Sequence, residues 1–207
     1  WGGNLVQFGV HSTPINANDA KYMSGLDALV NKVGEYDSYI LLSYRAPTPG
    51  AEISVDVPQA AVDAMEKLAR RYASKPQVLY GCAVEPHNID WPTLKPQLER
   101  CADAIWRGAP GAVVFATGTN WGRYVHWALT NPVNRSGIAY KVDFYDPMSN
   151  VGNYKLIEMA AKYPMMLGEF GAGTQTPLAD LDDLLAYCEN NNIDLCNTCC
   201  PELNNEK

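Results

Sequence analysis
Two glutamates occupy matching places in this sequence. Glu85 closes the run Val78-Leu79-Tyr80-Gly81-Cys82-Ala83-Val84 ahead of Pro86-His87, and Glu169 closes Met165-Met166-Leu167-Gly168 ahead of Phe170-Gly171-Ala172-Gly173. Apolar runs of this length read as buried strands, and Pro86 cannot continue a strand's hydrogen-bond ladder, so each carboxyl is expected at a strand's C-terminal tip. There, desolvation raises the pKa of one carboxylic acid while a neighbour stays ionised, the division of labour that acid/base chemistry near neutral pH requires. Two such groups ~5 Å apart can open a glycosidic bond, one as acid and the other as nucleophile; ~6.5–9.5 Å leaves room for an inverting water instead. Spacing alone equally allows each glutamate to cap a loop or to pair with Arg45 or Arg123.

Aromatic side chains gather near the same strand ends: Trp91, Trp121, Trp127, Tyr44, Tyr124 and Tyr145. Aromatic faces at a cleft mouth are platforms for the C–H patches of sugar rings. Trp121 is the leading candidate, the alternative being a tryptophan packed beneath its loop. Trp106 falls on a helix's apolar face and reads as core. His87 stands where it can orient Glu85, whereas His11 and His126 read as structural. No His-x-His or His-Glu-x-x-His pattern points to a metal, and no cofactor is expected.

The elements that position these groups alternate along the chain. Strands are expected at 4–10, 38–44, 78–83, 112–117, 138–145, 165–169 and 193–196, with His11-Ser12-Thr13-Pro14 a loop. Between them, helical spacing appears at Leu26, Leu29, Val30 and Val33, stopped by Gly34, and at Val62, Met65, Leu68, Ala69 and Tyr72 after Pro58. A third helix is capped by Asp90 and buries Leu94, Leu98, Cys101, Ile105 and Trp106. Two more cover Tyr154 to Tyr163 and Asp180 to Asn190, while 45–58 is a long loop and 123–137 a partly helical connection. Strict alternation implies parallel βαβ units. Gly118-Thr119-Asn120-Trp121-Gly122 is neither a dinucleotide fingerprint nor a Walker loop, which favours a closed barrel over a doubly wound sheet. Seven strands fall one short of a TIM (β/α)8 barrel, which usually takes ~250 residues. The chain thus reads as one α/β barrel domain over 1–207, truncated or reduced at its N-terminus.

Composition narrows the function classes. The chain has 207 residues, 47% hydrophobic and 19% charged, and a net charge of −7. Its basic residues are scattered among acids, so no stripe exists to hold nucleic acid or an anionic membrane. No apolar stretch approaches the ~20 residues of a spanning helix. Trp1-Gly2-Gly3 carries neither a starting Met nor a signal peptide, so the product is expected soluble and trimmed, and is expected to act as a monomer. Of the six cysteines, Cys82, Cys101 and Cys188 read as core residues. Cys196-Asn197-Thr198-Cys199-Cys200 has half-site spacing without a second half, which favours a strand or local disulfide over zinc.

These residues resemble glycoside hydrolase clan A, and family 5, the cellulases and endoglucanases, in particular. The stretch from Leu79 to His87, with Trp91 and the helix to Trp106, is similar to that family's acid/base strand and following helix. Ala112 to Trp121 resembles the strand with a substrate-site tryptophan, Val142-Asp143-Phe144-Tyr145 the strand with a His-x-Tyr motif, and Leu167 to Gly171 the nucleophile strand. The resemblance implies Glu85 as general acid/base, Glu169 as nucleophile and Tyr145 as its hydrogen-bond partner, with Trp121, His87 and Tyr44 toward substrate. It also implies an endo-acting retaining β-glycosidase, a polysaccharide or oligosaccharide partner and secretion. Four positions depart from the family pattern: Val84 replaces an Asn that contacts the sugar 2-hydroxyl, Asp143 replaces the His, Gln7 replaces an Arg, and a further His is replaced around Ser43-Tyr44. A barrel that binds carbohydrate without cleaving it is the competing expectation.

Overall fold
The strands between the first and the last carry apolar side chains on both faces, because one face meets helices and the other faces the interior of the sheet. The computed structural model describes residues 4–46, 56–171 and 179–195. Its strands are β1 (Leu5–Val10), β2 (Tyr39–Tyr44), β3 (Val78–Gly81), β4 (Val114–Thr117), β5 (Ile138–Phe144), β6 (Met165–Phe170) and β7 (Asp194–Leu195). The helices are α1 (Ser12–Asn16), α2 (Ala20–Glu35), α3 (Gln59–Tyr72), α4 (Trp91–Gly108), α5 (Leu156–Ala160) and α6 (Ala179–Asn190), with 3-10 turns at His126–Leu129 and Met148–Tyr154. All pairings are parallel and strictly sequential from β1 to β7. Among the described residues no β1–β7 pairing closes the ladder, so the architecture is a barrel-type parallel α/β fold of seven strands rather than a complete eight. On β1, Val6 and Phe8 are 43% and 38% exposed on the outer face, whereas Ile40 and Leu42 on the same face of β2 are fully buried, so this edge strand is only partly covered.

The period of two sorts the strand residues into layers. Ile40, Leu42, Val78, Tyr80, Val114, Tyr140, Val142 and Leu167 face the helices and pack with Val62, Met65, Leu68, Leu98 and Ile105. Leu41, Phe115, Ala139 and Met166, with Leu5 and Leu79, form a second cluster on the inner face. Two residues further along, the inner positions become Gln7, Ser43, Gly81, Thr117, Lys141 and Gly168. The interior is therefore apolar at its base and polar toward the C-terminal ends of the strands, where a site can form.

Local details depart from the expectations in four places. His11 to Pro14 enters helix α1 rather than a loop, and Pro14 is tolerated in the first turn, where its missing N–H is not needed. Gly34 lies inside α2, with Gln77 Nε2 2.7 Å from where a Cβ would sit, and the left-handed residue that stops the helix is Asp37, φ +48. The helix expected over Tyr154 to Tyr163 is broken by left-handed Lys155, φ +50, into a 3-10 turn and the short α5. Strand β3 ends at Gly81, before the expected Ala83. The Asp90 cap forms as expected, its carboxylate accepting the Thr93 N–H at 2.9 Å. The Cys196 to Cys200 segment and most of the 45–58 loop lie outside the described residues.

Candidate active site
Glu85 is delivered by a backbone that leaves the sheet gradually. Past Gly81 the ladder persists as Cys82 N–H to Phe115 O at 3.0 Å and Val84 N–H to Tyr44 O at 2.7 Å. Glu85 then adopts φ +47, a left-handed conformation that costs an L-residue roughly 1–2 kcal/mol. The turn is held from both sides: His87 Nδ1 sits 2.8 Å from the Glu85 carbonyl, and the Trp121 N–H donates to the Pro86 carbonyl at 3.0 Å. Asn120, Trp121 and Gly122 are all left-handed, at φ +54, +59 and +76, which turns the Trp121 ring flat onto His87, with centroids 4.8 Å apart and planes 9° apart. Burial is the first cause that pushes the Glu85 carboxyl above the ordinary range, and the charge of Glu169 adds to it; Lys141, Arg45 and His87 pull the other way. A carboxyl so placed tends to keep its proton, as a general acid must.

Glu169 is turned inward by a bulge. The β5–β6 register runs Val142 against Leu167 and then Asp143 against Glu169, so Gly168 is the extra residue and the side-chain alternation shifts by one. Without it Glu169 would share the helix-facing side with Leu167. Its Oε1 accepts the Gln7 amide at 2.5 Å and lies 3.7 Å from Lys141 Nζ, while Oε2 is 3.5 Å from the Tyr145 hydroxyl. Lys141 and Asp143 stand beneath it, 1% and 0% exposed and 2.5 Å apart. Burial drives the Asp143 carboxyl up, to about 7, with the charges of Glu169 and Glu85 adding and the Lys141 ammonium opposing. Asp143 Oδ2 and Thr117 Oγ1 have no hydrogen-bond partner among the described residues. Gly122 is the cover over both: a Cβ there would lie 2.2 Å from Asp143 Oδ2 and 3.1 Å from Thr117 Oγ1.

The structure brings Glu85, Glu169, Tyr145, His87 and Trp121 to one end of the sheet. Glu85 lies four residues past β3 rather than on the strand itself. His87, 2% exposed, touches the Glu85 backbone and the Trp121 ring instead of reaching the carboxyl by a hydrogen bond. Tyr44 is placed elsewhere: 3% exposed, it packs in the helix-facing core, because the inward residue at the end of β2 is Ser43. Arg123 pairs with Asp146 at 3.3 Å rather than with either glutamate. Trp127 is 44% exposed and tilted against His126, and Trp91 is buried with its Nε1–H on the Asn131 carbonyl. Lys141 escaped notice in the sequence, although a lysine and an aspartate two apart within an otherwise apolar strand must share a face. Cys82, Cys101 and Cys188 are free and buried. Among the described residues no group of three or more His, Cys, Asp or Glu is arranged to hold a metal, and no helix is long and apolar enough to cross a membrane.

Comparison with known proteins agrees with the fold. A family model for cellulase, glycosyl hydrolase family 5, matches residues 1–200. Endoglucanase E-5 of Thermobifida fusca is 26% identical over 188 residues, covering 85% of this chain and 40% of that protein. Endoglucanase CelA of Streptomyces lividans is 25% identical over 187 residues, with the same two coverages. Among solved structures, a β-glucanase from Saccharophagus degradans in complex with cellotetraose superposes with a TM-score of 0.79 at 18% identity, covering 95% of this chain and 69% of that one. The catalytic domain of Thermobifida fusca endoglucanase Cel5A (E5) gives 0.77 at 22% identity, covering 93% and 68%. The chain spans about 40% of the length of these two curated relatives.

Proposed function
We propose that this chain, which belongs to the cellulase family, glycosyl hydrolase family 5, carries the site of a retaining endo-β-glycosidase acting on a β-linked polysaccharide. The observation that carries the reading is the unequal pair of carboxyls: Glu85, pushed toward its protonated form by burial and by Glu169, beside Glu169, held by Gln7, Tyr145 and Lys141. Glu85 protonates the leaving oxygen while Glu169 attacks the anomeric carbon; a water then releases the sugar, with Glu85 as base. Trp121, backed by His87, offers its other face as a platform for a sugar ring. The complexes of related proteins with cellotetraose point to a β-1,4-glucan, and a polymer of that size is met outside the cell. The test is reducing-sugar release from β-glucan, carboxymethyl cellulose and mannan, with proton NMR to follow the anomer first formed. Retention of configuration that Glu169→Gln abolishes is the expected outcome. Inversion, or no turnover on any of the three, sinks the reading.

One observation favours carbohydrate binding without cleavage. Val84, 5% exposed and immediately before Glu85, stands where the family pattern has an Asn that contacts the sugar 2-hydroxyl, and its side chain can make no hydrogen bond. Such a contact, strengthening in the transition state, supplies several kcal/mol. Calorimetry with cello-oligosaccharides would then show heat that Trp121→Ala diminishes, with no product formed.

A further inference from the structure
Lys141 is the unexpected member of the site. Three carboxyls, Glu85, Asp143 and Glu169, share the polar end of the interior with this one ammonium, and the Lys141 side chain is 1% exposed. A buried lysine kept charged costs several kcal/mol unless closely paired, so its place calls for a reason. Its stem runs through a slot that only glycine leaves open: a Cβ on Gly168 would lie 2.3 Å from both its Cγ and its Cδ. The ammonium ends 2.5 Å from Asp143 Oδ1 and 3.7 Å from Glu169 Oε1, the oxygen that also accepts the Gln7 amide at 2.5 Å. Oε1 thus takes the short Gln7 hydrogen bond and the longer Lys141 ion pair together. Oε2 keeps the 3.5 Å contact with the Tyr145 hydroxyl.

Resting on the retaining reading above, we propose that Lys141 is a positioning residue that works chiefly in the second half of the reaction. Anchored by Asp143, its ammonium holds Glu169 by Oε1 and presents Oε2 to the anomeric carbon. In the first step the Oε2–C1 bond forms, the bond from C1 to the leaving oxygen breaks, and the Glu85 proton goes to that oxygen. Glu169 is then a neutral ester. In the second step water attacks C1, its proton passes to Glu85, and Glu169 departs with the electron pair of the broken Oε2–C1 bond. That departing negative charge develops beside Lys141, and a preorganised cation lowers the barrier to its release. The ground state of the first step, by contrast, already has Glu169 paired, so Lys141 assists that step least.

Lys141→Met keeps the stem over Gly168 and removes the charge. With 2,4-dinitrophenyl β-cellobioside, whose good leaving group speeds the first step, kcat is expected to fall on the order of 10²-fold, as when one electrostatic donor is removed from a transition state. KM falls in parallel, dinitrophenol appears in a burst of one equivalent per enzyme, and intact-mass spectrometry shows the accumulated cellobiosyl-enzyme. The alkaline limb of kcat/KM also moves to higher pH, because Glu85, faced by Glu169 and Lys141 from the interior, by Arg45 from the end of β2 and by the His87 ring from its own loop, loses the Lys141 charge that favours its ionised form. A purely structural lysine changes the melting temperature and leaves burst, KM and pH profile as they are. The variant Lys141→Met with Asp143→Asn leaves no lone buried charge, and the same burst is expected of it should the single variant fold poorly. Unchanged kcat and KM in these variants, with the wild type retaining, overturns the role of Lys141 alone. A wild type that inverts, or does not turn over this substrate, removes the parent reading and this one together.

Discussion

Replacing Gly168 by Ala tests the geometry that aims Glu169. The added Cβ would lie 2.3 Å from Lys141 Cγ, 2.3 Å from Lys141 Cδ and 3.0 Å from Asp143 Oδ1. Carbon pairs rest at about 3.5–4.0 Å, so the stem must retreat by roughly 1.2–1.7 Å. Cγ and Cδ are mid-stem atoms of a side chain 1% exposed, tied at its far end to Asp143, and they have no free end to swing aside. Either the ammonium leaves Asp143 or β6 moves outward and takes Glu169 with it. Overpacking of this kind costs about 1–3 kcal/mol. For a chain of this size that is roughly 2–12 °C in melting temperature. A displacement of Glu169 by about 1 Å costs on the order of 10²-fold in turnover. Circular-dichroism melts and hydrolysis of an aryl β-cellobioside measure the two effects. Shortening the stem with Lys141→Ala should return part of the lost stability, so the double variant is expected to be non-additive by about 1 kcal/mol. If Gly168→Ala melts like the wild type, or if the two substitutions simply add, the slot is not a constraint and this account of the bulge is wrong.

Two further perturbations probe the carboxyl and its neighbour. Because the folded protein raises the pKa of Glu85 above its ordinary value of 4.5, this group's contribution to stability is whole below pH 4.5 and is lost as pH rises through the higher folded value. Glu85→Gln is therefore expected to melt above the wild type at pH 8 and level with it near pH 4; a variant less stable at pH 8 contradicts the assignment. Val84→Asn, at a position buried yet outside both core clusters, is expected to raise kcat/KM on cello-oligosaccharides by about 10-fold or more through a contact to the 2-hydroxyl. An unchanged or lower kcat/KM in a folded variant would show that this position does not face the sugar.

Much of the molecule was legible in the sequence because its signals are local. Apolar runs of four to seven residues, broken by Pro and Gly and separated by 3.6-residue periodicity, state a parallel alternating fold without knowledge of any partner strand. Asp90 before Trp91-Pro92 announces a helix start by chemistry confined to four residues. Glu85 and Glu169 could be paired because both follow such runs. The seven strands counted in the sequence are also the seven found among the described residues.

What only the tertiary structure decided depends on atoms distant in sequence. Which way a strand-end side chain points is fixed by parity relative to neighbouring strands, so Tyr44 turned into the helix-facing core while Ser43 took the inner place. The Gly168 bulge reverses parity just before Glu169, and the glycine is required there because a Cβ would meet the stem of Lys141 on the neighbouring strand. Left-handed Asn120 and Trp121 are tolerated because Pro86, 35 residues earlier, accepts the Trp121 amide. Gln7 and Glu169, 162 residues apart, meet only when the strands curve into a common interior. Sequence by itself thus determined the elements and the two carboxylates, since both are written in local periodicity. Their unequal environments came from desolvation and cross-strand charge, quantities that do not exist until the chain encloses them.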